Sequence, residues 1–250
     1  MARDILRQPK IYSPPKEQEK FIFPRFLKII IWGFVIFAAF LYLILFSPLF
    51  KIRNLEIVGI PSTDTKTYLE SFKNGNIFLL KTGPIQQQLI DANPEFLSIK
   101  IFKGIPSTLR IVFEERIPKI IWKVGDQQYL VDDQGIAYKK LENPEILPQI
   151  IDIKAISMGL LTQVSTSNFI TFVTDAQNQV KVDDLKIDHF EVNDTIFQVD
   201  AITNKSIKII FDTTHSLSDQ NDAFVKVYSE HKNDIKEYLD VRVVGVVYYK

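Results

Sequence analysis

The side chains able to do chemistry in this 250-residue chain are few and scattered. His189, His215 and His231 are its three histidines, and no pair stands at the H-x-x-x-H spacing that would aim two ring nitrogens at one metal. There is no cysteine, which excludes thiolate nucleophiles, disulfide frameworks and thiolate metal centres. Asp183-Asp184 with Asp188-His189 is the nearest approach to a cation cluster, and it reads as a solvated turn leading into a strand. Asp132-Asp133-Gln134-Gly135 lacks the alternating oxygen ligands and distal Glu of a calcium loop, so it reads as a tight turn. Glu114-Glu115-Arg116, at the end of a strand pattern, reads as a structural ion pair. No G-x-S-x-G elbow, phosphate-cradling loop or dinucleotide fingerprint occurs, and the sequons at Asn193 and Asn204 are at chance level. The expectation is a non-enzyme with no catalytic, cofactor-binding or metal-binding residues.

The elements explain more than the functional groups do. Ile29 to Phe50 is an uncharged block of 22 residues between Lys28 and Lys51. As a helix rising about 1.5 Å per residue it would extend roughly 33 Å, enough for a hydrocarbon core of about 30 Å. A cleaved signal peptide fits less well, because LFSPLFKIR offers no small-x-small site. A buried core helix fits less well still, because the block has no polar face. Residues 1–28 carry seven Lys/Arg against three Asp/Glu, whereas residues 51–250 carry 23 against 27. The basic bias predicts a cytoplasmic N-terminus, with residues 51–250 outside the cytoplasm. The proline-bearing tail, 1–28, is expected to be disordered. The net acidic exported part argues against nucleic-acid binding.

Beyond the block the periodicity changes. KIRNLEIVGI alternates and stops at Pro61, predicting a strand. Ser62 or Thr63 then caps a helix carrying Tyr68, Leu69 and Phe72, and Thr82 caps a second one ending at Asn93-Pro94. Two strands follow, with Leu97, Ile99 and Ile101 on one face of the first and Leu109, Ile111 and Phe113 on one face of the second. Next comes a meander over Ile120–Val124, Tyr129–Val131 and Ile136–Tyr138, with turns at Gly125-Asp126 and Asp132 to Gly135. Ser167 opens a helix, Lys186–Val192, Thr195–Val199 and Ile207–Phe211 read as strands, and Ser218 opens an amphipathic helix.

The β-α-α-β-β order after a membrane anchor resembles the polypeptide-transport-associated (POTRA) domain. Within it, KGIPSTLRIVFEERIPKIIW resembles the hallmark of the FtsQ/DivIB cell-division proteins, with Lys103, Pro106, Leu109, Ile111, Glu115, Arg116 and Pro118 filling the motif. Lys103 stands where arginine is commoner, and Glu114 is an extra acid. The string from Trp122 through Tyr129-Leu130-Val131-Asp132 to Gly135 and Tyr138 is similar to the family's entry into its β domain, and Leu147–Ile150 to its sequel. Tyr238, Leu239, Asp240 and Arg242 match its closing motif. The fold class is therefore expected to be α+β: a transmembrane helix, a POTRA domain and a mixed β-rich domain with flanking helices. The expected divisions are a tail at 1–28, a transmembrane helix at 29–50, a POTRA-like domain at 51–118 and a β domain at 119–250.

The last run, LDVRVVGVVYYK, is rich in β-branched and aromatic residues and predicts a strand. The resemblance implies that this strand is the edge to which a small bitopic coiled-coil division protein of the FtsB/DivIC type, working with an FtsL type, adds a strand of its own. Arg242, Val243, Gly245, Val246, Val247, Tyr248 and Tyr249 are the partner-binding candidates; Val243, Val247 and Tyr249 would share one face of a regular strand. Family members commonly have an aromatic directly after the arginine, where this chain has Val243. An ordinary core strand is the competing reading, and one strand can be both. The implied function is a non-catalytic divisome scaffold at the septum, anchored in the cell membrane and touching other divisome membrane proteins. The alternative is a POTRA-containing component of envelope or secretion assembly.

Overall fold

The computed structural model describes residues 24–155, 157–182 and 185–250, together with Tyr12. Most of the expected 1–28 tail and the Asp183-Asp184 pair lie outside the described residues. The first helix, α1 (Arg25–Phe46), has no buried residue and is long and apolar enough to cross a membrane. It begins before the expected Ile29 and stops before Phe50. Pro48 drives Ser47 into an extended conformation, so the helix ends there and a 3-10 turn, Pro48–Phe50, follows. Ser47 Oγ accepts the Leu49 N–H across that turn at 3.2 Å.

A three-stranded sheet comes next, built from β1 (Asn54–Val58), α2 (Thr63–Glu70), α3 (Thr82–Ala92), β2 (Phe96–Gly104) and β3 (Thr108–Glu115). Its order is β1-β3-β2, with β1 parallel to β3 and β2 antiparallel to it. Parallel neighbours need a crossover, which the two helices supply. Leu69, Ile85 and Leu89 bury their side chains among Phe96, Ile99, Leu109, Ile111 and Phe113. Ser62 caps α2 by accepting the Thr65 N–H, as expected. Thr82 is instead the first helical residue of α3, and Lys81 holds the cap position without a side-chain bond. The register slips between Phe96 and Ser98, so Phe96 enters the core and Leu97 does not, contrary to simple alternation.

The second sheet has ten strands. In chain order these are β4 (Ile120–Val124), β5 (Gln127–Val131), β6 (Ile136–Lys140), β7 (Gln149–Asp152), β8 (Thr162–Gln163), β9 (Ile187–Val192), β10 (Gln198–Thr203), β11 (Lys208–Asp212), β12 (Tyr238–Asp240) and β13 (Tyr248–Tyr249). Across the sheet they run β13-β12-β11-β10-β9-β7-β4-β5-β6-β8. Two helices, α4 (Ser167–Gln179) and α5 (Leu217–His231), bury Phe169, Phe172, Val173, Phe224 and Tyr228 in one cluster with Trp122, Phe190 and Phe211. Ile121, Leu130 and Tyr138 form a smaller cluster on the other side of β4–β6. Burial lifts the Tyr138 phenol to about 12.

The helix caps sit just before the expected ones: Thr166 rather than Ser167 caps α4, and Ser216 rather than Ser218 caps α5. The expected Thr195–Val199 strand begins only at Gln198, because Thr195 Oγ1 accepts the Phe197 N–H and holds residues 195–197 in a turn.

Arg116 and Asp132 join the two sheets. The Arg116 N–H donates to Glu95 O, its Nε–H donates to Pro94 O, and its Nη1 meets Asp132 Oδ2. Asp132 Oδ1 accepts the Gln134 and Ile136 N–H groups, both at 2.9 Å, which sets the turn between β5 and β6. Gly135 is required in that turn: its φ is +81°, and a Cβ there would lie 2.2 Å from Ser165 O. The Arg116 and Asp132 side chains are 10% and 2% exposed, so removing one strands the other's charge without water. Arg116→Ala is expected to lower stability by about 3 kcal/mol. Urea unfolding of the detergent-solubilised full chain measures it; an unmoved midpoint would mean that the pair does not couple the sheets.

Candidate functional site

The chain does not run out as one long strand. β12 is only three residues long and lies parallel to β11, with Lys208 opposite Tyr238 and Ile210 opposite Asp240. After Val241, whose N–H still donates to Ile210 O at 3.1 Å, the backbone leaves the ladder and turns through Val243 to Gly245. It then returns as β13, with Tyr248 opposite Asp240 and Tyr249 opposite Leu239. The expected regular strand over Arg242 to Tyr249 is therefore a hairpin, and Val243, Val247 and Tyr249 do not share a strand face. Two features cause the reversal. Gly245 sits at φ +78°, open to solvent, and the Val246 N–H closes the turn onto Val243 O at 3.1 Å. On the other side, Asp240 pulls the following residues back over itself.

That pull is a fork. Arg242 donates from Nε to Asp240 Oδ1 at 2.9 Å and from Nη2 to Asp240 Oδ2 at 2.6 Å, while its backbone N–H reaches Oδ1 at 3.1 Å. Its remaining Nη1 donates to Gln198 Oε1 at 2.6 Å. Gln198 passes its amide to Asp200, which accepts from Lys208 Nζ at 2.9 Å; Glu191 lies 3.6 Å from the same ammonium. A polar ladder thus crosses β12, β10, β11 and β9. It lies on the face opposite the helices, because Val199 and Ala201 of β10 point into the apolar cluster.

The guanidinium of Arg242 holds the Asp240 carboxyl below the ordinary aspartate range, outweighing the opposing effect of burial. Asp240 in turn holds the Arg242 guanidinium more firmly protonated. For Lys208 burial pulls the ammonium down, but the Asp200 carboxylate prevails and raises it.

The sequence-predicted partner residues separate into two groups. Arg242 spends its guanidinium on Asp240 and Gln198 and so positions the hairpin, and Val247 packs partly against the main cluster. Val243, Val246, Tyr248 and Tyr249 stay exposed, with Tyr248 56% exposed. Val244, absent from the predicted set, is the most exposed apolar side chain of the turn at 73%. The signal was present in the Val243-Val244 run, but a regular strand would have turned only alternate residues outward. Beside the hairpin a groove is lined by His215, Ser216, Ala223, Val241, Val243 and Val244.

β13 is the last strand of the sheet, and among the described residues no strand pairs with its outer edge. Lys250 donates its N–H to Tyr238 O at 3.1 Å, making that a bonded pair. Leu239 and Tyr249, one residue along, are then the non-bonded pair of the antiparallel ladder, so the Tyr249 N–H and C=O point away from β12. The Tyr249 ring stacks on His231 at 5.4 Å, fixing the strand to the end of α5. Among the described residues no three His, Asp or Glu side chains gather as a metal site.

Asp240 is more acidic folded than unfolded, so its contribution is present above the unfolded value of about 3.9 and lost as pH falls through the depressed folded value. Amide-exchange protection over 238–250, corrected for intrinsic rate, should hold from neutral pH to just above the ordinary aspartate value and then drop. Asp240→Asn should lack that acid step and protect the hairpin less even at neutral pH. Protection unaffected by this substitution would mean that the fork does not hold the turn.

No protein-family model matches the chain. It is similar to the cell division protein FtsQ of Rickettsia bellii, 30% identical over 107 residues, which are 42% of this chain and 39% of that protein. It is also similar to FtsQ of Chloroflexus aurantiacus, 27% identical over 120 residues (47% and 44%), and to FtsQ of Corynebacterium glutamicum, 27% identical over 93 residues (36% and 41%). The chain spans about two fifths of the length of the curated relatives it matches. The β-α-α-β-β unit, the Lys103 to Pro118 motif and these relatives agree in their likeness: over this part the chain is similar to the FtsQ cell-division proteins.

Proposed function

We infer that this protein is a non-catalytic scaffold of the division machinery, working by binding other membrane division proteins outside the cytoplasm. The open edge of β13, a strand end with outward N–H and C=O groups flanked by exposed Val244, Tyr248 and Tyr249, carries this reading. Such an edge is a template for strand addition: main-chain hydrogen bonds supply affinity, and the flanking side chains supply selectivity. The partner is an extended segment of a small bitopic coiled-coil division protein of the FtsB/DivIC type, acting with one of the FtsL type. In this reading α1 crosses the cell membrane with residues 1–28 in the cytoplasm. Residues 51–118 form the POTRA-like domain, residues 119–250 form the partner-binding domain, and the protein concentrates at the septum. The relatives' names support the division role, and the apolar α1 supports the anchoring.

The test is a photo-crosslinking residue in place of Tyr248 in dividing cells of the native host. A small single-pass coiled-coil protein is the expected capture. Reproducible capture of a β-barrel or secretion component would replace the division reading with envelope assembly, and adducts confined to the chain itself would remove β13 as the partner edge. Tyr249→Pro deletes an outward N–H without touching the bonds to β12, so it should weaken capture by roughly tenfold while the fold persists.

A further inference from the structure

The end of α1 is bonded to the first sheet. Asn76 donates its side-chain amide to Ile44 O at 2.9 Å and Leu45 O at 2.8 Å, and its Oδ1 accepts the Phe78 N–H at 2.8 Å. Those two carbonyls are orphans of the last helical turn, which would otherwise seek water or a lipid headgroup. The Phe50 and Ile77 backbones pair directly behind them, and the Phe50 ring meets the Phe78 ring edge-on at 5.1 Å. The 76–81 loop is therefore held at the level where α1 ends, not free on a linker. The turn between β2 and β3 sits at the same level: Lys103 Nζ reaches Phe78 O at 3.4 Å, and Arg53 joins Ser107 O to Pro48 O.

This end of the molecule exposes large apolar side chains where a soluble surface would not. Leu49, Phe78, Leu79 and Ile105 are 60%, 41%, 63% and 66% exposed. The segments that carry them, 43–53, 74–83 and 103–110, contain no Asp or Glu but include Lys51, Arg53, Lys81 and Lys103. An apolar tip ringed by cations fits an anionic phospholipid leaflet: the side chains enter the boundary layer and the ammonium groups meet phosphates. The bilayer is already at that height, because α1 is about 33 Å long and its final turn ends where the patch begins.

We propose that Leu49, Phe78, Leu79 and Ile105 form a second membrane contact. They seat the first sheet on the outer leaflet and fix its orientation relative to α1. The contact rests on α1 spanning a bilayer and is independent of the division role. Function follows from geometry: a sheet seated on the leaflet holds β13 at a set height and direction, where a segment from another bitopic protein can meet it.

The cysteine-free chain permits a direct test. Single nitroxide labels are placed at Leu79→Cys, Ile105→Cys, Phe40→Cys within α1 and Ile146→Cys, a fully exposed loop residue of the second sheet. The full chain is reconstituted in vesicles of phosphatidylcholine with phosphatidylglycerol. The readout is collision of each label with oxygen, which concentrates in lipid, against collision with a water-soluble nickel chelate. Leu79 and Ile105 are expected to show an oxygen-to-nickel ratio several-fold above that of Ile146, approaching Phe40. Lys81→Glu with Lys103→Glu should lower the ratio at Leu79. Leu79 and Ile105 labels as open to nickel as Ile146, with Phe40 in lipid, would overturn the contact while leaving the anchor intact. A Phe40 label open to nickel would sink the anchor and the contact together.

Discussion

The pairing of Arg116 with Asp132 is the constraint on which the two-sheet architecture depends. One guanidinium satisfies Pro94 O ahead of β2 and the carboxylate that shapes the turn between β5 and β6, while its own backbone N–H takes Glu95 O. Nearly buried, neither charge can fall back on water, so the pair forms with both sheets in one arrangement or leaves a stranded ion. The same carboxylate organises Gln134 and Ile136, and the turn it sets brings Gly135 against Ser165 O too closely for any side chain. One ion pair thus links the α3–β2 corner, the β5–β6 turn and the start of α4. The net energy of such a pair is modest, and its value lies in geometric uniqueness.

At the far end of the ten-stranded sheet a second charged fork does a different task. Asp240 and Arg242 are only two residues apart, so their mutual attraction bends the chain rather than joining distant parts. The bend turns a terminal run of valines and tyrosines into a hairpin. It shields the β12 edge and presents a new, shorter edge on β13. Edge strands are commonly kept short and twisted to prevent indiscriminate pairing. Here Gln198, Asp200 and Lys208 extend the fork across the outer face, so the hairpin is held by the sheet as well as by its own turn.

These two forks, with Asn76 at the end of α1, form a chain of polar fixings from the apolar first helix to the last strand. Asn76 fixes the first sheet to α1, Arg116 fixes the second sheet to the first, and Arg242 fixes the hairpin to the second. Apolar burial supplies most of the stabilisation within each cluster, but it is non-directional. Orientation between the parts comes from hydrogen bonds that tolerate little rotation.

Much was legible along the chain. The apolar block, the β-α-α-β-β order and the meander over β4–β6 follow from periodicity and from the chemistry of proline and glycine, which act over a few neighbouring residues. The misses share a cause. Thr166 and Ser216 displaced the expected caps because the helix start depends on which hydroxyl meets the N–H three residues on. Phe96 displaced Leu97 through a bulge that only cross-strand pairing reveals. Arg116 was read with its neighbours Glu114 and Glu115, yet its partner is Asp132; Glu114 bonds to Ser98 and Lys100 on the opposing strand, which lower its carboxyl. The closing run carried strand propensity throughout, but propensity has no term for a carboxylate that captures a guanidinium two residues later. By itself, then, the sequence determined the long apolar helix, most of the other helices and strands and the motif that they carry, because those signals are local and periodic. Only the tertiary structure decided which charges meet and where the last strand turns: Arg116 finds Asp132 and Arg242 finds Gln198 across the fold, and the Asp240–Arg242 fork depends on side-chain geometry that neither periodicity nor propensity records.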